Sequence, residues 1–216
     1  MQDELNKKYI DAKKKAAENM AGARHGSNGG KNRVPPGQRV VPKMVAMPPI
    51  TIRYPKIDRK EWKLRVYGEI DKEMVWNYEE LMKLGVEEFT VDFHCVTTWS
   101  KLDQVFTGID FKKIMNAVRP TKDVKHVIFE SADGYTTNVV YQELLDNPSF
   151  VAMKMNDDFI ATEYGGPVRF VIPHLYGWKS AKFLTGIRFV SHDEPGFWEV
   201  RGYHNHADPW KEERFS

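Results

Sequence analysis

Cys95 is the only cysteine among 216 residues. It lies in the segment Val91-Asp92-Phe93-His94-Cys95-Val96-Thr97-Thr98-Trp99-Ser100. A solitary thiol has no partner for an intrachain disulfide and cannot build a Cys-rich zinc site. Three roles remain: a small core residue, a nucleophile, or one soft ligand to a metal that takes its other ligands elsewhere. His94 is next to it, but neighbours on a strand point to opposite faces, a poor arrangement for proton transfer between the two. Thr97, Thr98, Trp99 and Ser100 make the surroundings polar and aromatic for a plain core strand.

A second group follows seventy residues later, in Gly165-Gly166-Pro167-Val168-Arg169-Phe170-Val171-Ile172. Arg169 stands alone in an apolar run. A buried guanidinium needs an anion or a carboxylate, because an unpaired one is prohibitively costly. The loop Gly177-Trp178-Lys179-Ser180-Ala181-Lys182 then offers two ammonium groups, a hydroxyl and several backbone N–H groups. That chemistry suits a phosphate or another compact anion; a solvated turn with a surface ion pair is the plainer alternative. Near the C-terminus, His204 and His206 have the spacing to chelate a metal from a strand, but no third ligand accompanies them. Structural packing is the simpler role there.

The elements that must hold these groups are short. Residues 4–20 carry helix formers among charges, and Ala21 to Gly30 break any regular element. Glu61 to Tyr67 alternates as a half-buried strand. Asn77 with Glu80 three residues on predicts a capped helix. Phe89 to Phe93 predicts a strand that delivers His94 and Cys95 to its end. Asp110 to Met115 and Tyr141 to Leu145 predict short helices, whereas 124–130, 135–140, 168–172 and 185–190 predict strands. No regular βαβ rhythm and no repeat is visible, so the expected class is α+β with mixed sheets.

Charge divides the chain. Residues 1–46 hold ten Lys/Arg and four Asp/Glu, leaving 22 basic and 26 acidic side chains for the remaining 170. A basic leader over residues 1–46, partly helical or flexible, thus precedes a mildly acidic body over 47–216, and nucleic-acid binding by that body is not expected. No stretch is apolar enough to span a bilayer or to serve as a signal peptide. With a single thiol this leads to the expectation of a cytoplasmic protein.

Taken together, Asp92 to Ser100, Gly165 to Lys182 and Glu194-Pro195-Gly196-Phe197-Trp198-Glu199 resemble the sulfite oxidase family of molybdopterin-dependent oxidoreductases. The likeness runs from about Pro48 to the C-terminus. It is strongest to the short, stand-alone sulfite oxidase-like branch. It implies the sulfite oxidase-type molybdopterin-binding fold, one molybdopterin per chain, and a molybdenum ion bound by the Cys95 thiolate. It further implies that Arg169, Ser180 and Lys182 hold the pterin and its phosphate. Lys179 and Ala181 lie in the same loop; His94, Thr98 and Trp99 flank the metal cysteine. Ser131 and Asp133 fall near a further pterin contact, and Tyr164 stands where the family commonly has histidine. The sulfite-oxidising members carry an arginine shortly after the metal cysteine, whereas Lys101 is the first cation here. That departure turns the expectation away from sulfite.

The activity implied is two-electron oxygen-atom transfer on a small substrate of the sulfur- or nitrogen-oxide type. A separate electron-transfer protein is expected as partner. A non-catalytic module of the same fold, acting through its basic leader, is the rival from another class.

Overall fold

The computed structural model describes residues 2–22 and 33–216. In chain order the elements are helix α1 (Gln2–Gly22), strands β1 (Arg39–Val40), β2 (Lys63–Gly68) and β3 (Met74–Asn77), and helix α2 (Tyr78–Met82). Strands β4 (Glu87–Cys95) and β5 (Trp99–Asp110) precede helix α3 (Phe111–Val118). Then come β6 (His126–Ser131), β7 (Thr136–Val140), helix α4 (Tyr141–Asp146), β8 (Phe150–Met155), β9 (Asp158–Phe159), β10 (Arg169–Val171) and β11 (Leu184–Val190).

The strands form two mixed sheets, as the α+β expectation requires. One runs β1-β5-β8-β10, with β4 on β5 and β9 on β8; the other runs β3-β2-β11-β6-β7. Parallel pairing occurs at β1 with β5 and at β11 with β2. Phenylalanines join the layers: Phe129 of β6 stacks on Phe170 of β10 with centroids 3.7 Å apart. Phe111, at the start of α3, packs on both and on Phe189 of β11. All four rings are fully buried, and each contributes on the order of 1.5–3 kcal/mol by leaving water.

Local chemistry sets the short helices. Asn77 accepts the Glu80 N–H at 2.9 Å and the Glu80 carboxylate accepts the Asn77 N–H at 2.9 Å, a reciprocal capping box worth about 1 kcal/mol. Asp110 caps α3 by accepting the Lys112 N–H at 2.7 Å.

Residues 33–46, read from sequence as part of the leader, are built into the body. β1 pairs with the start of β5, and Gln38, Val41 and Met44 are buried. Packing therefore continues across residue 46 instead of breaking there. α1 agrees with the helix expected over 4–20; the break expected from Ala21 to Gly30 falls, beyond Gly22, outside the described residues. No helix among the described residues is long and apolar enough to cross a membrane.

Candidate active site

β4 and β5 form an antiparallel hairpin in which Cys95 pairs with Trp99. Only Val96, Thr97 and Thr98 connect the strands, and Thr98 closes the turn in the left-handed region at φ 68°. Its N–H returns to the Cys95 carbonyl at 3.1 Å. The loop is braced from outside: Gln38 donates to the Cys95 carbonyl at 3.0 Å, and buried Arg214 donates to the Val96 carbonyl at 2.6 Å. Cys95 thus sits at the end of a two-stranded support whose loop has little freedom to move.

The thiol faces a cavity of about 300 Å³, whose wall also includes Trp99, Tyr164, Arg169, Ser180 and Lys182. Cys95 is 7% exposed and its Sγ lies 3.1 Å from the Thr97 hydroxyl. Burial pushes its pKa up. His94 turns to the other face, as strand alternation dictates. It is 2% exposed, its Nδ1 is 2.8 Å from the Ser100 hydroxyl, and its ring meets Trp210 edge-on. Burial drives its pKa down to about 4. A protonated thiol with its neighbouring imidazole pointing away is not an activated nucleophile. Metal coordination reverses this, because it deprotonates the sulfur outright.

The wall that holds the thiol also carries cations. Arg169, at the start of β10, is 3% exposed. Its guanidinium donates to the Tyr164 carbonyl at 2.9 Å and lies over the Phe93 ring at 5.3 Å. Its Nε has no partner, and no carboxylate pairs with it among the described residues. Burial alone lowers its pKa to about 10. Lys182 is pushed to about 7, first by burial and then by the charges of Arg169 and Lys13; Asp133 opposes the shift. The Lys182 stem lies where a Cβ on Gly165 would stand, 2.5 Å from it, so the glycine (φ +98°) lets the lysine lie flat against the chain. Ser180 Oγ accepts the Ile172 N–H at 3.0 Å, which leaves its own proton available to a ligand.

The structure therefore brings Cys95, Tyr164, Arg169, Ser180 and Lys182 to one cavity, with Trp99 and Asp133. The other expected contacts lie elsewhere. Lys179 is fully buried and pairs with Glu199 at 2.7 Å, while also donating to the Asn138 carbonyl and side chain. Ala181 is buried and its carbonyl accepts the Phe170 N–H. Thr98 donates its hydroxyl to the Thr97 carbonyl. His94 faces Ser100, and the Ser131 side chain lies off the cavity wall. His204 and His206 are held by glutamates, with His206 at 2.8 Å from Glu213 and 3.0 Å from Glu143. No metal-binding cluster forms among the described residues.

Several wall residues were not singled out from sequence. Lys13, Ala16, Ala17 and Met20 of α1, the segment around Met44 to Ile50, and Tyr203 all line the cavity. Trp198 does too, and it lies in a quoted motif.

The donor set fits a molybdopterin with its metal. It contains one thiol, a soft ligand once deprotonated, at a rigid turn. It also contains cations that form no ion pair among the described residues, and orphaned buried donors at Arg169 Nε and Trp99 Nε1. An anionic tail would satisfy the charges, and the thiolate would satisfy a soft metal.

Comparison with known proteins agrees. The oxidoreductase molybdopterin binding domain family matches residues 51–198. The uncharacterized oxidoreductase YuiH of Bacillus subtilis (strain 168) is 38% identical over 184 residues, which make up 85% of this chain and 92% of YuiH. The protein-methionine-sulfoxide reductase catalytic subunit MsrP of Campylobacter jejuni is 26% identical over 157 residues, covering 65% of this chain and 52% of MsrP. The sulfane dehydrogenase SoxCD of Paracoccus pantotrophus has the same fold, with TM-score 0.59 at 15% identity over 73% of this chain and 46% of that one. The chain spans about half the length of MsrP and SoxCD. It belongs to the molybdopterin-binding oxidoreductases of the sulfite oxidase family, and it is an enzyme. Cys95, Arg169, Ser180 and Lys182 all fall inside the matched segment.

Proposed function

We propose that this enzyme holds one molybdopterin-bound molybdenum per chain and catalyses two-electron oxygen-atom transfer on a small sulfur- or nitrogen-oxide substrate. We further propose that a separate protein supplies or removes the electrons, and that the enzyme works in the cytoplasm. The observation that carries this reading is the convergence of the chain's only thiol with uncompensated cations on one cavity wall.

When bound, the cofactor supplies the redox and oxygen-transfer chemistry. The chain supplies the rest. Cys95 provides the thiolate ligand, held in place by the Gln38 and Arg214 hydrogen bonds to its loop. Arg169, Ser180 and Lys182 bind the anionic tail by charge-assisted hydrogen bonds. Trp99 and Trp198 wall the cavity and exclude water, which strengthens each electrostatic contact inside it. Methionine sulfoxide is the first substrate to try, because MsrP, named for reducing it in proteins, is a relative. The absence of an arginine directly after Cys95 argues against sulfite.

The rival reading, a non-catalytic module acting through its leader, has less support. One face of α1, with Lys13, Ala16, Ala17 and Met20, is committed to the wall of the enzyme's own cavity.

The test is molybdenum and pterin content of protein from a cofactor-competent host, followed by turnover of methionine sulfoxide and other S- and N-oxides with a reduced dye. Near-stoichiometric metal and turnover that Cys95→Ser abolishes, with pterin retained, are expected. Protein devoid of molybdenum, or a Cys95→Ser variant with normal turnover, would overturn the reading.

A further inference from the structure

The family match begins at residue 51, yet one wall of the cavity comes from α1. Lys13, Ala16, Ala17 and Met20 face it, at the i, i+3, i+4, i+7 spacing of a single helix face. Ala17 permits close approach and is only 3% exposed. The helix is fixed by Tyr9, which donates to the Pro49 carbonyl at 3.1 Å, and by Lys13. Lys13 Nζ donates to the carbonyls of Pro48 at 2.7 Å and Pro49 at 3.0 Å, and sits 5.8 Å from the Trp198 ring centre.

Resting on the molybdopterin reading above, we propose that Lys13 is an additional cofactor-binding cation and that α1 is a built-in wall of the cofactor site. The phosphate of the pterin is then gripped from two sides. Arg169 and Lys182 reach it from the family domain, and Lys13 reaches it from the segment ahead of that domain.

Three observations support this. An ammonium has three protons, and the two proline carbonyls use two of them. No carboxylate forms an ion pair with Lys13 among the described residues; burial lowers its pKa to about 8, with Asp133 only partly offsetting the loss. Lys182 also lines the cavity and donates to the Met47 carbonyl, next to the two carbonyls that hold Lys13, and the Lys13 charge adds to the lowering of the Lys182 pKa. Keeping two such cations on the wall of one cavity costs free energy that a bound anion returns.

The experiment uses full-length, cofactor-free protein titrated with molybdopterin and followed by pterin fluorescence. Lys13→Gln should weaken binding by about tenfold, with Lys13→Arg restoring it to within about threefold. Lys14→Gln, which removes a charge paired with Glu18 one residue along, should bind like wild type. In wild type, molybdopterin should also slow tryptic cleavage after Lys14 and Lys15, a readout that does not require any variant to fold. Equal binding by Lys13→Gln and wild type, equal losses at Lys13 and Lys14, or cleavage unaffected by saturating molybdopterin would each overturn the inference while leaving the functional reading in place. Failure of wild type to bind molybdopterin at all would sink both.

Discussion

Lys179 and Lys182 stand three residues apart in one loop, and they illustrate two ways of burying a cation. Lys179 is enclosed in a satisfied network: Glu199 at 2.7 Å, the Asn138 carbonyl at 2.8 Å and the Asn138 side chain at 3.0 Å. The same Glu199 oxygen accepts from Thr137 at 2.9 Å and from Trp178 at 3.1 Å, which ties the C-terminal segment to β7. Lys182 donates to the Met47 carbonyl, and burial, then the charges of Arg169 and Lys13, push it down to about 7. The first charge is compensated and holds the fold together. The second forms no ion pair among the described residues and lines a cavity, a cost that a ligand's counter-charge would offset.

The contrast can be broken most forcefully at Lys179. Lys179→Met leaves the Glu199 carboxylate buried without its partner and should destabilise the protein by about 3–5 kcal/mol, read by urea unfolding. Equal stability would show that the pair is not structural. Lys182→Met should do the reverse. In cofactor-free protein it should unfold no more easily than wild type, while pterin retained after purification falls at least about tenfold, the loss of a charge-assisted contact. A variant that keeps its pterin would remove Lys182 from the site.

pH sharpens the same point. Lys182 titrates at about 7 in the fold and at 10.5 in its ordinary state. Between those values the unfolded chain binds more protons than the native one, so stability of cofactor-free protein should rise as pH climbs from 7 toward 10.5. Below 7 the full cost of the buried charge is present. Lys13, at about 8, adds to the slope with the same sign. Lys182→Met should flatten the rise, and bound molybdopterin should flatten it in wild type. A slope that neither changes would assign the rise to other groups. The smallest effect expected is at Thr98, whose positive φ is unfavourable for a β-branched residue. Thr98→Gly should raise stability by up to about 1 kcal/mol, seen as a modest increase in Tm; a decrease would mean that the Thr98 hydroxyl bond outweighs the strain.

Much of this was readable from the chain. The capping box at Asn77 and the strand ending at Cys95 rest on local rules, and local rules were enough; Asp110, read as the first residue of a helix, is its cap. β5 was not foreseen. Its first half, Trp99-Ser100-Lys101-Leu102-Asp103-Gln104, reads as a polar loop, and a bulge at Asp103 (φ 52°) breaks the alternation opposite Val91 and Phe93. Long-range pairing with β4, β8 and β1 makes it a strand. Within the site, residue type led to Cys95, Arg169, Ser180 and Lys182, which the fold brings to one cavity. Type could not separate Lys179 from Lys182, because the partner Glu199 is near only in space. Lys13 was out of reach for the same reason: which way α1 lies over the body is a tertiary decision that its own sequence does not record.

The central claim is that the Cys95 sulfur binds the metal. X-ray absorption at the molybdenum edge on loaded wild type and Cys95→Ser tests it most directly. The variant should show one sulfur neighbour fewer at an otherwise similar centre; an unchanged sulfur shell would contradict the account.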